Sequence, residues 1–326
     1  MTLPVAPSNA VGADGMPSFG RYEGLAEAFG WAALAAPFAR NALWRRFRHK
    51  RWHFVALATD ELFCGMAIVD IGWSNSAFAY AFDRERREVI EGFSPVGLPG
   101  LTARVGVTAG RASRFAMPGR RIEITPAGAD GYVLLLRAGR FRIEASYRGS
   151  APRLLAVGPV TNGGSVHATQ KSPALALSGV AEAGGRRYRL DGGVASFDYS
   201  TGLLGRNTAW RWVSAHRPGL GINLQVGSFG AAENALWLDG RIVPLAAARF
   251  EVLPGGAWRT RTDDGLLDLL FTPEGARRDD KQLVVATSRL TQHVGTFSGW
   301  VKQAPGAPAR TVAGLTGLAE DYSASW

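Results

Sequence analysis

The sequence predicts an all-β protein of two packed antiparallel barrels or sandwiches, with a short helical segment at the N-terminus. Its 326 residues are too many for one small module, and they suit one large β domain or two ordinary ones. From about residue 50 onward, short runs of β-forming residues alternate with turn residues, which is typical of antiparallel sheets. The 41 glycines can supply the turns and bulges of such a fold. The absence of a fixed-period repeat argues against a propeller or a solenoid.

Residues 1–48 form a predicted N-terminal extension that is only partly helical. Several Pro, Gly and Ser residues near the start indicate irregular chain there. Two helices are predicted, at 23–35 and 39–48. Leu43, Trp44 and Phe47 recur at helical spacing, and we interpret this apolar stripe as part of the core.

The predicted strands lie wherever apolar and β-branched residues are bounded by turn residues. They are 52–59, 62–71, 77–83, 121–125, 132–138, 141–147, 174–181, 187–198, 209–216, 220–228, 234–245, 247–253, 257–262, 266–272, 283–292, 293–301 and 309–315. Gly139 and Arg140 indicate a two-residue hairpin turn. The Pro- and Gly-containing stretch 159–164 separates a first β domain, 49–160, from a second, 161–326. This boundary leaves open an exchange of strands between the two halves.

The chain is basic, with 37 Lys and Arg residues against 27 Asp and Glu, for a net charge of +10. Such a balance raises nucleic acid or an acidic membrane surface as a partner. Only four of the basic residues are lysines, however, and Ala and Gly are abundant, which indicates arginine-rich codon usage. The densest basic cluster, Arg40 to His53, is interpreted as a solvated helix end because no nucleic-acid-binding motif accompanies it. We therefore expect no nucleic-acid partner.

Several classes of protein are disfavoured by features that the sequence lacks. No apolar run approaches the length of a membrane span, so we expect no stable membrane insertion. The single cysteine, Cys64, excludes a disulfide framework and lies in an apolar run that predicts a core position. The first residues do not resemble a signal peptide, so we expect a cytoplasmic protein. The five scattered histidines and the lack of phosphate-loop or nucleophile-elbow motifs lead us to expect neither a metal nor a cofactor.

Aromatic and polar residues of the kinds used in ligand binding are concentrated between residues 167 and 240. Trp210 and Trp212 are two residues apart, so on a strand both side chains lie on one face. Two neighbouring indoles form a wide apolar wall with N–H groups at its edge. Such a wall suits either the lining of a ligand cavity or the closed bottom of a barrel.

Asp198 and Glu233 are the candidate catalytic residues. A carboxylate inside an apolar, tryptophan-lined cavity has its pKa raised by desolvation, which suits general acid catalysis near neutral pH. The structural alternatives are that Asp198 caps a turn and Glu233 pairs with an arginine. His167, Lys171 and Tyr199 could supply a second proton-handling group. The predicted ligand-binding residues are His167, Lys171, Tyr199, Arg206, Asn207, Trp210, Trp212 and Asn234.

The C-terminal segment 314–326 places Glu320 and Asp321 beside aromatic residues. We interpret this segment as a solvated tail. Its final residue, Trp326, is large and apolar, so we expect the end of the chain to dock on the fold.

These stretches resemble the bacterial family called domain of unknown function 2804. The resemblance runs from about residue 40 to the end of the chain. It is carried by Arg51-Trp52-His53-Phe54, Asp70-Ile71-Gly72-Trp73, Thr169-Gln170-Lys171, Phe197-Asp198-Tyr199-Ser200-Thr201-Gly202, Arg206-Asn207-Thr208-Ala209-Trp210-Arg211-Trp212, Gly221-Ile222-Asn223-Leu224, Glu233-Asn234 and Gly317-Leu318-Ala319-Glu320-Asp321. The name of that family implies no function.

A more distant similarity is to the two-domain lipocalin-like proteins that include carotenoid hydratase and tocopherol cyclase. Those proteins carry a glycine-containing strand that leads to an Asp, a nearby Gly and a Trp-x-Trp strand, and residues 192–212 follow that order. The chain departs from the pattern at Asp198, which directly follows Phe197, where those proteins more often show Trp and Asp separated by one residue. The resemblance implies two lipocalin-like units around an apolar cavity. It leaves the reaction open, since cyclases, hydratases and plain binders share such folds.

Three functions remain open at this point. The first is an enzyme that transforms a lipophilic small molecule by acid-catalysed hydration, cyclisation or isomerisation, with Asp198 and Glu233 as acid and base and the indoles stabilising a carbocation. The second is a non-catalytic carrier or sensor of an apolar ligand. The third is a carbohydrate-active β-sandwich whose two carboxylates flank a sugar stacked on Trp210. A closed apolar pocket favours the first two functions, and an open groove favours the third.

Overall fold

The computed structural model describes residues 2–283 and 286–326, and strands make up 61% of the chain against 3% for helix. The all-β prediction is therefore confirmed. The described helical elements are the 3₁₀ helix Trp31–Ala33 and the α-helix α1, Ala42–Arg48. Strands of the first sheet are β1 Gly20–Glu23, β2 His49–Ala58, β3 Leu62–Asp70, β4 Asn75–Asp83, β5 Glu88–Phe93, β6 Val96–Gly97, β7 Ala103–Arg104, β8 Ser113–Met117, β9 Arg120–Ala127, β10 Gly131–Ala138, β11 Phe141–Arg148, β12 Leu154–Pro159, β13 Val166–Lys171, β14 Leu175–Ala183, β15 Arg186–Arg189 and β16 Val194–Leu203. Strands of the second sheet are β17 Asn207–Arg217, β18 Leu220–Gly227, β19 Ala235–Leu238, β20 Arg241–Pro244, β21 Ala248–Val252, β22 Trp258–Thr262, β23 Leu267–Leu283, β24 Ala286–Val301 and β25 Arg310–Ser325.

Each sheet is antiparallel and curls into a half-barrel. In the first sheet the neighbours run β5-β4-β3-β2-β16-β14-β11-β10-β9-β8-β7, and a side branch of β13, β12 and β1 joins at β16. The far strands β7 and β8 return to contact β3, which gives the sheet its curl. The second sheet runs β20-β19-β18-β17-β25-β24-β23-β22-β21, and β18 and β21 approach each other.

The chain passes from the first sheet to the second between Leu203 and Asn207. This position differs from the boundary expected at residue 160. Strand β16 opposes β2 along its whole length, from Leu203 against His49 to Val194 against Ala58. Strands β13 to β16, which lie in the predicted second domain, therefore belong to the first sheet. The pairing of β16 with β2 joins residues far apart in the chain, so no local sequence pattern indicates it.

The alternation of side chains along β2 explains how the two sheets come together. Val55 and Leu57 point into the core of the first half-barrel. Phe54 points the other way and packs with Trp212 and Leu318 of the second sheet. The second half-barrel has a separate core of its own. A third apolar layer therefore lies between the sheets, and it borders the candidate site.

The helix predicted at 23–35 is wrong, since within it only Trp31–Ala33 forms a 3₁₀ turn. The chain there pairs with the N-terminus instead, and the Ala10 N–H donates to the Ala28 carbonyl at 3.0 Å. The second predicted helix is confirmed as α1, whose N-terminus is capped by the Asn41 side chain accepting from the Trp44 N–H at 2.8 Å.

The prediction that the stripe on this helix packs in the core is also wrong. Leu43 is 69% exposed and Phe47 is 48% exposed, and only Trp44 packs against the first core. The helix has seven residues, so it offers one side chain rather than a full apolar face to the sheet. Cys64, by contrast, is buried in β3 as expected.

The hairpin turn predicted at Gly139-Arg140 is confirmed. Ala138 opposes Phe141 across the Gly139-Arg140 turn. The two predicted strands 283–292 and 293–301 form the single strand β24, and residues 284 and 285 lie outside the described part of the chain.

The solvated tail predicted at 314–326 is wrong, because this segment belongs to β25 at the centre of the second sheet, between β17 and β24. The end of the chain does dock on the fold. The backbone N–H of Trp326 donates to the Arg206 carbonyl at 3.0 Å, and the Lys50 Nζ lies 4.9 Å from the centroid of the Trp326 ring. The described ranges include no helix with the length and hydropathy that a membrane-spanning segment requires.

Candidate active site

A cavity of about 180 Å³ lies where the two sheets face each other. Its walls come from β2, β3, β4, β13 and β16 of the first sheet and from β17, β18, β23, β24 and β25 of the second. Trp52 and Phe54 are two residues apart on β2, so both side chains face the cavity. Trp210 and Trp212 are two residues apart on β17 and face the cavity from the second sheet. The predicted common face of these two tryptophans is therefore present, and it lines the cavity.

Four aromatic rings form one continuous wall of the cavity, which we call the aromatic wall: Trp52, Trp210, Tyr322 and Trp326. The Trp52 and Trp210 rings stack at 5.8 Å, and Trp210 stacks on Tyr322 at 4.1 Å. Tyr322 in turn lies 5.8 Å from Trp326. Trp212 has a more structural position, with its ring edge-on to Phe54 at 5.5 Å and its indole N–H donating to the Asn223 side chain at 2.7 Å.

A buried lysine joins the two carboxylates that the sequence singled out, and we call Lys171, Asp198 and Glu233 the carboxylate–lysine cluster. The Lys171 Nζ lies 2.7 Å from the Asp198 Oδ2 and 3.0 Å from the Glu233 Oε2. Lys171 and Asp198 are direct partners in the β13–β16 register. The hydroxyls of Thr169 and Ser200 donate to the other Asp198 oxygen at 3.0 and 3.1 Å. Both carboxylates line the cavity, with Lys171 beneath them.

The electrostatics of this cluster follow from its burial and its charge count. Burial disfavours the charged form of Lys171, but Asp198 and Glu233 outweigh it and raise the lysine pKa above its ordinary value. Burial also raises the pKa of Glu233, although the neighbouring Lys171 opposes that shift. Two carboxyl groups share one ammonium, so the cluster either carries a net negative charge or retains one proton. The structural alternative, in which Glu233 pairs with an arginine, is not what the structure shows, because Glu233 pairs with Lys171.

Glu320, in the segment predicted to be a solvated tail, is a third buried carboxyl group of the cavity. It lies on β25, opposite Trp212 on one side and Gln292 on the other. Its Oε1 accepts from the Trp210 indole N–H at 2.6 Å, and its Oε2 accepts from the Gln292 amide at 2.6 Å. Burial raises the pKa of Glu320 to about 7, against these two hydrogen bonds, which favour the charged form. Near neutral pH this carboxyl is therefore available as an acid inside an aromatic cavity.

His167 lines the cavity as expected, between the rings of Phe229 at 4.4 Å and Trp52 at 5.6 Å. Burial lowers the pKa of His167 to about 3, so the imidazole is neutral at physiological pH. It can offer a hydrogen bond to a ligand, but its charged form is disfavoured.

Four of the predicted ligand-binding residues lie away from the cavity. Tyr199 is fully buried on the other face of β16, where its hydroxyl donates to the Gly106 carbonyl at 2.9 Å. This position follows from the strand alternation, because Asp198 faces the cavity. Arg206 and Asn207 are exposed at the link between the sheets. Asn234 is buried as a structural residue, with its side chain accepting from the Gln225 N–H at 2.7 Å.

The sequence reasoning missed Glu320, Gln292 and Tyr322, which meet only because β25 lies between β17 and β24. The signal that could have found Glu320 and Tyr322 is their spacing of two beside the Gly-Leu-Ala-Glu-Asp stretch of the family resemblance. Among the described residues, no three His, Cys, Asp or Glu side chains come together in a way that could hold a metal ion.

The fold and the site define a class of protein with two half-barrels and an acidic, aromatic cavity between them. The chain belongs to the family described as Domain of unknown function (DUF2804), whose family model matches residues 19–326. The family resemblance drawn from the sequence is thereby confirmed. A comparison with curated protein sequences finds no match.

Solved structures share this fold. A protein assigned as AttH from Nitrosomonas europaea is 15% identical, with a TM-score of 0.58 over 88% of this chain and 96% of that chain. CghA, solved with Sch210972, is 13% identical, with a TM-score of 0.59 over 98% of this chain and 97% of that chain. Identities this low establish a common fold and leave the chemistry to be argued from the site.

Proposed function

We propose that this protein binds a lipophilic small molecule in the cavity between the sheets and transforms it by acid-catalysed hydration, cyclisation or isomerisation. The observation that carries the proposal is Glu320, a carboxyl group buried against the aromatic wall and hydrogen-bonded to Trp210. Burial raises its pKa to about 7, which matches a general acid to neutral pH.

The cavity supplies the groups that each step of such a reaction needs. Glu320 gives its proton to a carbon–carbon double bond or an oxygen of the substrate, and the substrate becomes cationic. The Asp198 carboxylate of the carboxylate–lysine cluster stabilises that cation. Asp198 then takes a proton, either from the cation, which completes isomerisation or cyclisation, or from a water molecule that adds to it, which completes hydration. Exchange with solvent returns Glu320 to its acid form and Asp198 to its base form.

The shared fold gives indirect support. CghA was solved with the small molecule Sch210972, so a protein of this fold accommodates an organic ligand. At 13% identity this is an analogy of fold, and the assignment of roles rests on the residues of this chain.

The test begins with native mass spectrometry of the purified protein and extraction of any bound molecule. The extract, and a panel of unsaturated ring compounds, are then incubated with the protein in D₂O and returned to H₂O before mass analysis. Proton transfer to and from carbon leaves deuterium in the compound, or adds the mass of water. We expect wild-type protein to produce such a shift for at least one compound that it binds.

Glu320→Gln keeps a polar side chain of the same size and removes the acid. We expect it to bind the same compound and to lose incorporation by about 100-fold or more, which is the usual size of a general acid contribution. Glu251→Gln is the matched control, because Glu251 is an exposed residue on β21. Incorporation that survives in Glu320→Gln would remove Glu320 from the mechanism.

The carrier alternative uses the same cavity and predicts binding without any incorporation in the wild type. The carbohydrate alternative is disfavoured by one contact, since the Lys171 Nζ occupies the space between Asp198 and Glu233 where a sugar would have to lie.

A further inference from the structure

A hollow of about 620 Å³ lies at one end of the first half-barrel, where β2 begins and β3 and β16 end. It shares no lining residue with the candidate active site. Helix α1 lines it with Arg45 and Arg46, and the chain between β6 and β8 lines it within residues 99–107. Arg51 also lines it and pairs with Asp70 at 2.8 Å. The other two arginines have no acidic partner among the described residues, so the hollow is positively charged.

The two segments that border this hollow are basic and contain no acidic residue. Residues 28–59 include six Lys and Arg, and residues 92–122 include five Arg. Neither range contains Asp or Glu. Within them Arg46, Arg104 and Arg111 are exposed, and none of the three forms an ion pair in the described part of the chain. Positive charge that is left unopposed in this way attracts an anionic surface.

Large apolar side chains are exposed in the same two segments. Leu43 and Phe47 on α1, and Leu98, Leu101 and Val107 in the second segment, are between 48% and 80% exposed. Three of the four exposed leucines of the described chain are in this group. We call these five residues and the three exposed arginines the arginine–leucine surface. Exposed apolar residues flanked by cations are the combination with which peripheral proteins bind the interface of an anionic bilayer.

The apolar residues distinguish a lipid surface from other anionic partners. Nucleic acid is held through its phosphates and by aromatic rings that stack on bases, and leucine and valine side chains provide neither contact. A second copy of this chain would bring the same arginines face to face, and like charges repel. A bilayer accepts both kinds of side chain, because apolar groups enter its acyl region while guanidinium groups remain at the level of the lipid phosphates.

The arginine–leucine surface also adjoins the candidate active site. Gly72 lines the hollow, and the next residue, Trp73, lines the cavity between the sheets. Val96 is 43% exposed and lines the cavity, and Pro99, three residues later, lines the hollow. A lipophilic compound dissolved in a bilayer would therefore lie beside the cavity when this surface is docked.

We propose that the arginine–leucine surface docks this protein peripherally on a bilayer that contains anionic lipids. Leu98 and Leu101 enter the interface, and Arg46 and Arg104 contact the lipid phosphates. Docking of this kind needs no membrane-spanning helix, so it agrees with the expectation of no stable insertion. It is independent of the proposed reaction, because neither Glu320 nor Asp198 takes part in it.

Flotation of the whole chain with lipid vesicles tests the inference. One set of vesicles is phosphatidylcholine alone, and the other replaces about a third of it with phosphatidylglycerol, which supplies the negative surface potential. We expect the partition coefficient to be at least about tenfold higher for the anionic vesicles at roughly 0.1 M NaCl, and to fall at roughly 0.5 M because salt screens the attraction. Equal binding to both vesicles, or binding to neither, would overturn the inference.

The apolar part of the surface is tested by the double variant Leu98→Ser with Leu101→Ser. We expect it to bind anionic vesicles about tenfold less tightly, because two leucines no longer leave water. Leu270→Ser is the matched control, because Leu270 is an exposed leucine on β23 of the second sheet. Circular dichroism should show all of these proteins folded. Wild-type binding by the double variant would show attraction by charge alone and would contradict the docking.

The basic part is tested by Arg46→Gln with Arg104→Gln. Each arginine near an anionic bilayer contributes roughly a fivefold gain in binding, so we expect a loss of at least about tenfold. The matched control is Arg140→Gln with Arg241→Gln, since both arginines are exposed and without an ion pair in the described ranges. An equal loss in the control would overturn the assignment of this surface. Tighter binding to a short DNA duplex than to the anionic vesicles would overturn it in favour of nucleic acid.

Discussion

Lys171 is the residue that holds the carboxylate–lysine cluster together. It is 3% exposed and neutralises two carboxylates that belong to different parts of the chain, one on β16 and one just before β19. Taking one partner from a buried ion pair is more damaging than never having formed the pair, because it leaves an uncompensated charge. Lys171 should therefore contribute to the free energy of unfolding as well as to the charge of the candidate site.

Lys171→Met should lower the free energy of unfolding by about 3 to 5 kcal/mol at neutral pH, because Asp198 and Glu233 would lose their shared cation. Urea unfolding monitored by tryptophan fluorescence measures this change. Arg187→Met is the control, since Arg187 pairs with Glu182 on the exposed surface and should cost no more than about 1 kcal/mol. Equal losses in the two variants would contradict the account of the cluster.

Glu320 gives a second prediction, which concerns how the free energy of unfolding changes with pH. Its pKa rises from the ordinary value of 4.5 to about 7 on folding, so the folded state holds this proton more tightly than the unfolded state does. The associated stabilisation is complete below about pH 4.5 and is lost as the pH rises through 7.

Glu320→Gln has no such proton. As the pH rises, the wild type should therefore lose unfolding free energy relative to the variant. The expected change between pH 4.5 and 8 is on the order of 3 kcal/mol. Urea unfolding at a series of pH values measures it, and subtraction of the variant removes the contributions of every other titrating group. A difference that stays constant with pH would contradict the raised pKa.

At the scale of elements, β25 organises the second sheet, and its close approach to β17 depends on Gly317. A Cβ atom at this position would lie 2.4 Å from both the Ala215 Cβ and the Ser214 carbonyl oxygen. Gly317→Ala should therefore force the two strands apart and cost about 1 to 3 kcal/mol or more. Thermal unfolding measures the loss. Gly110→Ala is the control, because the nearest atom to its added Cβ would be 3.7 Å away, and a loss as large there would contradict this explanation.

Elements that depend on local chemistry could be predicted from the sequence, and those that depend on distant pairing could not. The Gly139-Arg140 turn was predictable because turn residues and strand alternation are both local signals. The segment at 23–35 has an apolar composition that suits a helix, yet it pairs with the N-terminus. The place of β25 beside β17 depends on residues about a hundred positions away, so no local pattern distinguishes the segment around Glu320 from a solvated tail.

The same division holds within the candidate site. Asp198, Glu233, His167 and the two tryptophans were found because acids and indoles clustered in one stretch of sequence, and all of them line the cavity. Tyr199, predicted as a possible proton-handling group, directly follows Asp198 on β16 and therefore faces away from the cavity. The role of Lys171 as a shared partner of both carboxylates required the sheet register, which no local pattern contains.

At the scale of the whole molecule, the two half-barrels share an apolar layer as well as the cavity. Phe54 of the first sheet meets Trp212 and Leu318 of the second in that layer. The two sheets should therefore unfold in one cooperative transition, with far-ultraviolet circular dichroism and tryptophan fluorescence giving the same midpoint. Two separate transitions would contradict a shared layer.

Phe54→Ala should lower that single midpoint and cost about 3 to 5 kcal/mol, because it opens a cavity in the layer between the sheets. Leu101→Ala is the control, since Leu101 is 80% exposed and should shift the unfolding free energy by no more than about 0.5 kcal/mol.

The central claim is that the space between the sheets holds a carboxylic acid that is still protonated near neutral pH. Its most direct test is a titration of the Glu320 carboxyl by NMR of protein carrying ¹³C-labelled glutamate, with the signal assigned by its absence in Glu320→Gln. We predict a midpoint of about 7, set by burial against the aromatic wall. A midpoint at or below the ordinary value of 4.5 would show a carboxylate that is charged throughout the physiological range, and it would contradict the assignment of Glu320 as the acid.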